Sequence, residues 1–207
     1  AEFMWINSDK TAHYELTTDI NLGTYHADNN NFVIAGTFSG TFKGGNNTIT
    51  YKGSFSSNTN NDKIGLFETV SGTITNLNLD GDITVSGTHS QVKVGLLCGA
   101  LANGGTIEFC DVTGNINSTA KSGGVGNAST GLIIGNNFGT LQYCTGHGNV
   151  TGVGYVGGLV GSMGNIMEGC PNNPNPLIKG CYFTGNVTAN NSSSLAISIE
   201  HCVIHFI

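Results

Sequence analysis

The amino-acid sequence predicts an all-β fold, a right-handed parallel β-helix (β-solenoid) with irregular loop insertions, laid down as a single domain. Three observations carry this expectation. A unit that opens on Gly-Leu-apolar and closes on a strand-like run and a Gly-Asn-Val segment is written several times. Within each unit, β-branched and apolar runs of four to six residues are broken by Gly, Asn and Ser turns. Glycine supplies 32 of the 207 residues, and no amphipathic run rich in Ala, Glu, Lys or Arg offers a helix. A 38% hydrophobic content is enough for one sizeable core. The right-handed sense follows from the crossover rule for parallel strands.

In chain order, residues 1–4, Ala-Glu-Phe-Met, read as a cloning remnant, with any native targeting signal outside the chain. Residues 5–62 are expected to form N-terminal coils, capped by Trp5 and its neighbours. The repeats occupy 63–190. Gly65-Leu-Phe leads to Thr73-Ile-Thr-Asn-Leu77 and Asp80-Gly-Asp-Ile83. Gly95-Leu-Leu leads to Thr106-Ile-Glu-Phe-Cys110 and Thr113-Gly-Asn-Ile116. Gly131-Leu-Ile leads to Thr140-Leu-Gln-Tyr-Cys144 and His147-Gly-Asn-Val150. Gly158-Leu-Val leads to Ile178-Lys-Gly-Cys181 and Thr184-Gly-Asn-Val187. Residues 191–207 hold a last partial coil around Ser198-Ile-Glu-His-Cys202.

Coils of a solenoid lie about 4.7–4.9 Å apart, so equivalent residues stack on themselves. Leu66/Leu96/Leu132/Leu159 and Ile83/Ile116/Val150/Val187 are expected to point inward. Asp82/Asn115/Asn149/Asn186 are expected to form an outward ladder of bonded side chains. Leu77, Cys110, Cys144, Cys181 and Cys202 share one slot, and the intervals of 34, 37 and 21 residues between its cysteines place insertions in loops. A narrow inward slot wants a small apolar residue, and a thiol behaves as one. Stacked Cβ vectors run parallel, which disfavours bridging within the column. Six cysteines still leave disulfides open, and Cys170, in the proline-rich insertion, is the candidate to pair with Cys181 or Cys202. Cys98 is expected to be a packing residue in the slot of Ile134 and Gly161.

Composition excludes several functions. The net charge is −6 and all seven basic residues are lysine, so no basic footprint exists for nucleic acid. No apolar run approaches the roughly 20 residues that span a bilayer, and no basic amphipathic helix is visible.

The repeats resemble the GLUG motif, which runs roughly as G-G-L-V-G, a turn, G-x-I-x-N-C and T-G-N-V-T-G. Gly157-Gly-Leu-Val-Gly161 is similar to its opening, and Gly148-Asn-Val-Thr-Gly152 and Thr184-Gly-Asn-Val-Thr188 to its end. Cys110, Cys144 and Cys181 match its cysteine. Tyr14–Leu22 and Phe38–Ile49 resemble the coils that precede such repeats. The resemblance implies a bacterial or archaeal surface or secreted protein, some of them adhesin-like. One position departs from the motif: its Asn before Cys is present as Asn76 but becomes Phe109, Tyr143, Gly180 and His201.

Other chemistry is thinly supported. His201 and His205 lie about 13 Å apart on a strand, too far to share a zinc. His147 stands alone in a turn. Leu79-Asp-Gly-Asp82 lacks the further oxygens of a calcium loop. Asp80 and Asp82 form a weak acidic-pair candidate, about 6.6–6.8 Å apart and within the range for inverting glycoside hydrolysis. Thr84, Thr151 and Thr188 share a slot as an ice-binding face would require, but Asn117 interrupts it. The expected function is a non-catalytic structural or adhesion module, extracellular or at the cell surface, with loops Ser118–Thr130 and Pro171–Pro176 presented to a host or matrix ligand, glycan or protein. No catalytic residue, metal or cofactor is expected. The alternatives are a carbohydrate-binding or carbohydrate-cleaving β-helix, which a groove of stacked aromatics would favour, and an ice-binding solenoid.

Overall fold

A computed structural model describes residues 2–26, 33–57, 62–88, 91–119, 128–164, 176–190 and 195–197. The chain winds as a β-solenoid, and every strand pairs in parallel with its counterpart one coil away. One coil shows the plan. It crosses a first face at Lys63–Ile64, a second at Phe67–Val70, a third at Thr73–Thr75 and a long fourth at Asn78–Gly87. The next coil repeats these as Lys93–Val94, Cys98–Leu101, Thr106–Glu108 and Asp111–Ser118. The faces grow into sheets of five, five, six and seven strands. Among the described residues the only helical element is a 3₁₀ turn, Glu2–Asn7.

The fourth face shows how sequence alternation becomes structure. In Asn78–Gly87, the side chains of Leu79, Ile83 and Val85 are buried, while Asp80 and Thr84 face solvent. This is the two-residue period of a half-buried strand. Stacking places Ile116 between Ile83 and Val150, with Val187 beyond and partly buried. Four successive coils carry a glycine in one row of this face, Gly81, Gly114, Gly148 and Gly185, where the coil before them has Tyr51. The last three sit at φ +143°, +143° and +139°. A Cβ on Gly114 would land on the carbonyl oxygen of Gly81, and one on Gly148 on that of Gly114. The Gly of each Thr-Gly-Asn or His-Gly-Asn segment is therefore demanded both by backbone conformation and by the close approach of the coil below.

The corner between first and second faces carries glycines four apart: Gly95 and Gly99, Gly131 and Gly135, Gly157 and Gly161. A Cβ on Gly95 would meet the Ile133 carbonyl oxygen at 2.6 Å. These glycines correct the expected alignment of the last full coil. Gly131 pairs with Gly157, and Ile134 with Val160, so Cys98 shares its row with Ile134 and Val160, not with Gly161. Leu159 is buried as expected but lies beside Ile133, one place along from the Leu66/Leu96/Leu132 row. Gly158 occupies the place of the missing leucine, and the ring of Phe183 lies against it, so the core stays filled.

Two further expectations are corrected. Trp5 is 66% exposed and does not cap the solenoid. Phe3 and Ile6 are buried instead, as the three-residue period of a 3₁₀ turn puts them on one side. Phe3 sets its ring edge against Phe42 and Phe67, with centroids at 6.0 and 6.3 Å. The expected loop Ser118–Thr130 is strand at both ends, where Ser118, Ser129 and Thr130 are buried; its central residues, like 171–175 of the other loop, lie outside the described residues.

Candidate functional site

The corner between third and fourth faces gathers most of the unusual side chains. Its turn residue is Asn76, Phe109, Tyr143 and Gly180 in successive coils, at φ +53°, +53°, +53° and +61°. Asparagine and glycine enter this left-handed region readily, whereas bulky side chains crowd the following carbonyl. The residue after each turns inward: Leu77, Cys110, Cys144 and Cys181 are all buried.

The three described cysteines of this column are free thiols, as is Cys98. Each stacked sulfur serves the backbone. The Cys110 N–H donates to Cys144 Sγ at 3.4 Å, and the Cys144 N–H to Cys181 Sγ at 3.5 Å. The thiols have carbonyl acceptors within their own turns, Glu108 for Cys110 and Gln142 for Cys144, both at 3.2 Å. Contacts with Cys110 and then Cys181, together with burial, hold the proton on Cys144 and raise its pKa well above that of a free thiol. Burial alone does the same to Cys98. Cys170 and Cys202 lie outside the described residues, and with them the candidate disulfide and the His201–His205 run.

On the outer side of the same corner the Phe109 and Tyr143 rings stack, 5.2 Å between centroids and 13° between planes. They are 51% and 43% exposed. The Lys179 ammonium lies 5.7 Å from the centre of the Tyr143 ring. Gln142 Nε2 donates to Glu108 Oε2 at 2.7 Å. Gly180, with no side chain, leaves space for the Tyr143 ring, which a Cβ there would meet at 2.7 Å.

The acidic-pair candidate lies on the outer surface of the fourth face. Asp82 is drawn into the ladder expected of its column. Its Oδ1 accepts from both the backbone N–H and the amide of Asn115, at 3.1 and 2.8 Å. Asn149 bonds in the same way to Asn115, and Asn186 through its amide to Asn149. The other carboxylate oxygen of Asp82 lies 3.8 Å from Lys52 Nζ. Asp80 is exposed, stacked between Thr50 and Thr113. His147 Nδ1 is 2.6 Å from Thr184 Oγ1, and its Nε2 is 4.0 Å from Asp111. Among the described residues no group of three or more His, Cys, Asp or Glu is placed to hold a metal ion. Asn117 stands between Thr84 and Thr151, so the threonine row is interrupted as its sequence implies.

Sequence reasoning missed the aromatic corner. Its signal was present: Phe109 and Tyr143 replace asparagine in the slot before the cysteine, which reads as a weakened ladder until the two side chains are seen stacked and exposed. No family model, no curated protein and no solved structure matches the chain.

Proposed function

We propose that this chain is a solenoid segment of the GLUG type, a non-catalytic spacer or adhesion module of a larger extracellular or cell-surface protein. The observation that carries this reading is the fate of the one close pair of acids. Asp82 is an acceptor within a hydrogen-bonded ladder whose other members are asparagines, so it serves coil-to-coil cohesion. Asp80 occupies a row that reads Thr50, Thr113, His147 and Thr184 in the other coils. A catalytic pair needs preorganised charge in a water-excluded setting, and both carboxylates stand on an open outer face. The rest of that face presents mostly hydroxyls and amides, a surface suited to contact and spacing.

The test is turnover by the purified chain on polygalacturonate, alginate and neutral glycans, read as released reducing or unsaturated ends. None is expected, and Asp80→Asn with Asp82→Asn should leave the far-ultraviolet circular dichroism unchanged. Cleavage by the wild type that disappears in this double variant would overturn the non-catalytic reading.

A further inference from the structure

We propose that the corner ledge built by Phe109 and Tyr143, flanked by Glu108, Gln142 and Lys179, is a binding site for a neutral glycan. The inference rests on the adhesion reading above and names the ligand class of that module.

The two rings carry backbone strain that folding returns only in part. Phe109 and Tyr143 hold φ +53°, a conformation penalised for bulky residues. The same turn is closed by Asn76 one coil before them and by Gly180 one coil after, so the corner does not need an aromatic ring. The core does not need one either, because the inward slot is filled by the adjacent thiols and about half of each ring faces water. Stacking against each other returns part of the cost. What remains unexplained by folding is two apolar rings held in the open on a surface otherwise rich in hydroxyls and amides, the usual mark of a contact site.

The neighbouring side chains fix the chemistry of the occupant. The residue just before each turn faces outward beside the rings, and there the chain places a carboxylate, an amide and an ammonium in successive coils: Glu108, Gln142 and Lys179. Apolar ring surface beside hydrogen-bonding side chains suits a sugar, which offers an apolar C–H face and a rim of hydroxyls. Glu108 and Lys179 offset each other, so the ledge has no net charge to attract a polyanion or a polycation. A protein partner would bury several hundred square ångströms per side around a desolvated anchor, and two open rings among polar side chains are a small footprint for that.

The test is affinity electrophoresis of the full chain in gels containing xylan, mixed-linkage β-glucan or galactomannan, together with pull-down on cellulose and chitin. Wild type should be retained by at least one of these glycans. Phe109→Asn with Tyr143→Asn, which installs the residue found at Asn76, should fold normally and bind at least tenfold more weakly. Phe109→Gly with Tyr143→Gly, which copies the turn at Gly180, should do the same. Retention by none of the five glycans overturns the proposal and leaves a protein as the occupant of the ledge. Retention unchanged in both double variants overturns it too, by placing the glycan elsewhere. Released reducing ends in the same incubations would instead overturn the non-catalytic reading, so the two failures are distinguishable.

Discussion

Cys144 Sγ accepts a hydrogen bond from the Cys110 backbone N–H one coil earlier, at 3.4 Å, while the thiol of Cys144 lies 3.2 Å from the Gln142 carbonyl. The slot thus asks for more than a small apolar residue. A turning chain exposes peptide groups that no strand ladder reaches, and sulfur supplies a weak acceptor and a weak donor in a volume the core accepts.

Cys144→Ala should therefore cost about 2–3 kcal/mol, combining a small cavity with an orphaned Cys110 N–H. Cys144→Val restores volume without the acceptor and should recover only part of this. Urea denaturation of the two variants separates the contributions. Equal stability of Cys144→Val and wild type would show that the sulfur contacts contribute nothing.

Thiol reactivity gives a second expectation. At pH 8 in the native state, Cys98, Cys110 and Cys144 should alkylate slowly, because all three are buried. In denaturant without reductant they should react fully. A peptide map showing Cys110 linked to Cys144 would contradict the stacked, unbridged geometry.

Two glycines separate space from backbone strain. Gly148 holds φ +143° directly above the Gly114 carbonyl, whereas Gly104 holds φ +82° with nothing within 4 Å of an added Cβ. Gly104→Ala should cost about 1–2 kcal/mol, the strain alone. Gly148→Ala must also push two coils apart and should cost about 4 kcal/mol or more, enough to lose cooperative unfolding. Similar midpoints for the two variants would mean that coil spacing is softer than the ladder implies.

Much of this architecture is legible in the sequence, for identifiable reasons. The alternation of Leu79, Ile83 and Val85 with polar residues specifies which side of the long face is buried. The column from Asp82 to Asn186 is readable because stacking makes a ladder from any repeated amide. The register of Gly157–Gly161 is not readable from Gly-Leu matching, because Gly157 and Gly158 offer two alignments one residue apart. The deciding feature is a pair of glycines four apart at a corner, a requirement of chain approach. Trp5 misleads because the 3₁₀ turn, not ring size, selects Phe3 and Ile6 for the cap. The aromatic ledge is hidden because nothing local says that the residue before the cysteine points outward at positive φ.

Alkaline pH should weaken the fold through two buried protons. Tyr51 is fully buried and donates its hydroxyl to the Leu96 carbonyl at 2.6 Å; burial, then the neighbouring Cys98, raises its pKa above the ordinary 10.0. Cys98 is raised above its ordinary 9.0 by burial. A pKa raised on folding means that the unfolded chain loses its proton first. The stability is complete below the ordinary value and declines above it, starting near pH 9 for Cys98 and pH 10 for Tyr51. Each group should contribute a fall of about 1.4 kcal/mol per pH unit beyond its onset. Tyr51→Phe should lower stability at pH 7 by about 1 kcal/mol through the lost hydrogen bond, and should flatten the decline above pH 10. An unchanged alkaline slope in this variant would show that the phenol ionises without unfolding the chain.

Phe109 and Tyr143 allow a sharper prediction, because their stability and binding effects run in opposite directions. A bulky residue in the left-handed region costs about 1–2 kcal/mol, and asparagine costs less. The ring stack returns about 0.5–1.5 kcal/mol, and the Lys179 contact with Tyr143 adds a fraction of that on an exposed surface. Replacing both aromatics by asparagine removes two strain terms and one stack, for a net gain of about 1 kcal/mol. For a chain of 207 residues that is a rise in Tm of about 2–4 °C. Each single variant loses the stack but relieves only one strained residue, so it should sit near wild type, and the gain should emerge only in the double variant. Differential scanning calorimetry of all four proteins completes this cycle. A double variant less stable than wild type would make the ring pair a structural clamp and remove the strain from which the ligand is inferred.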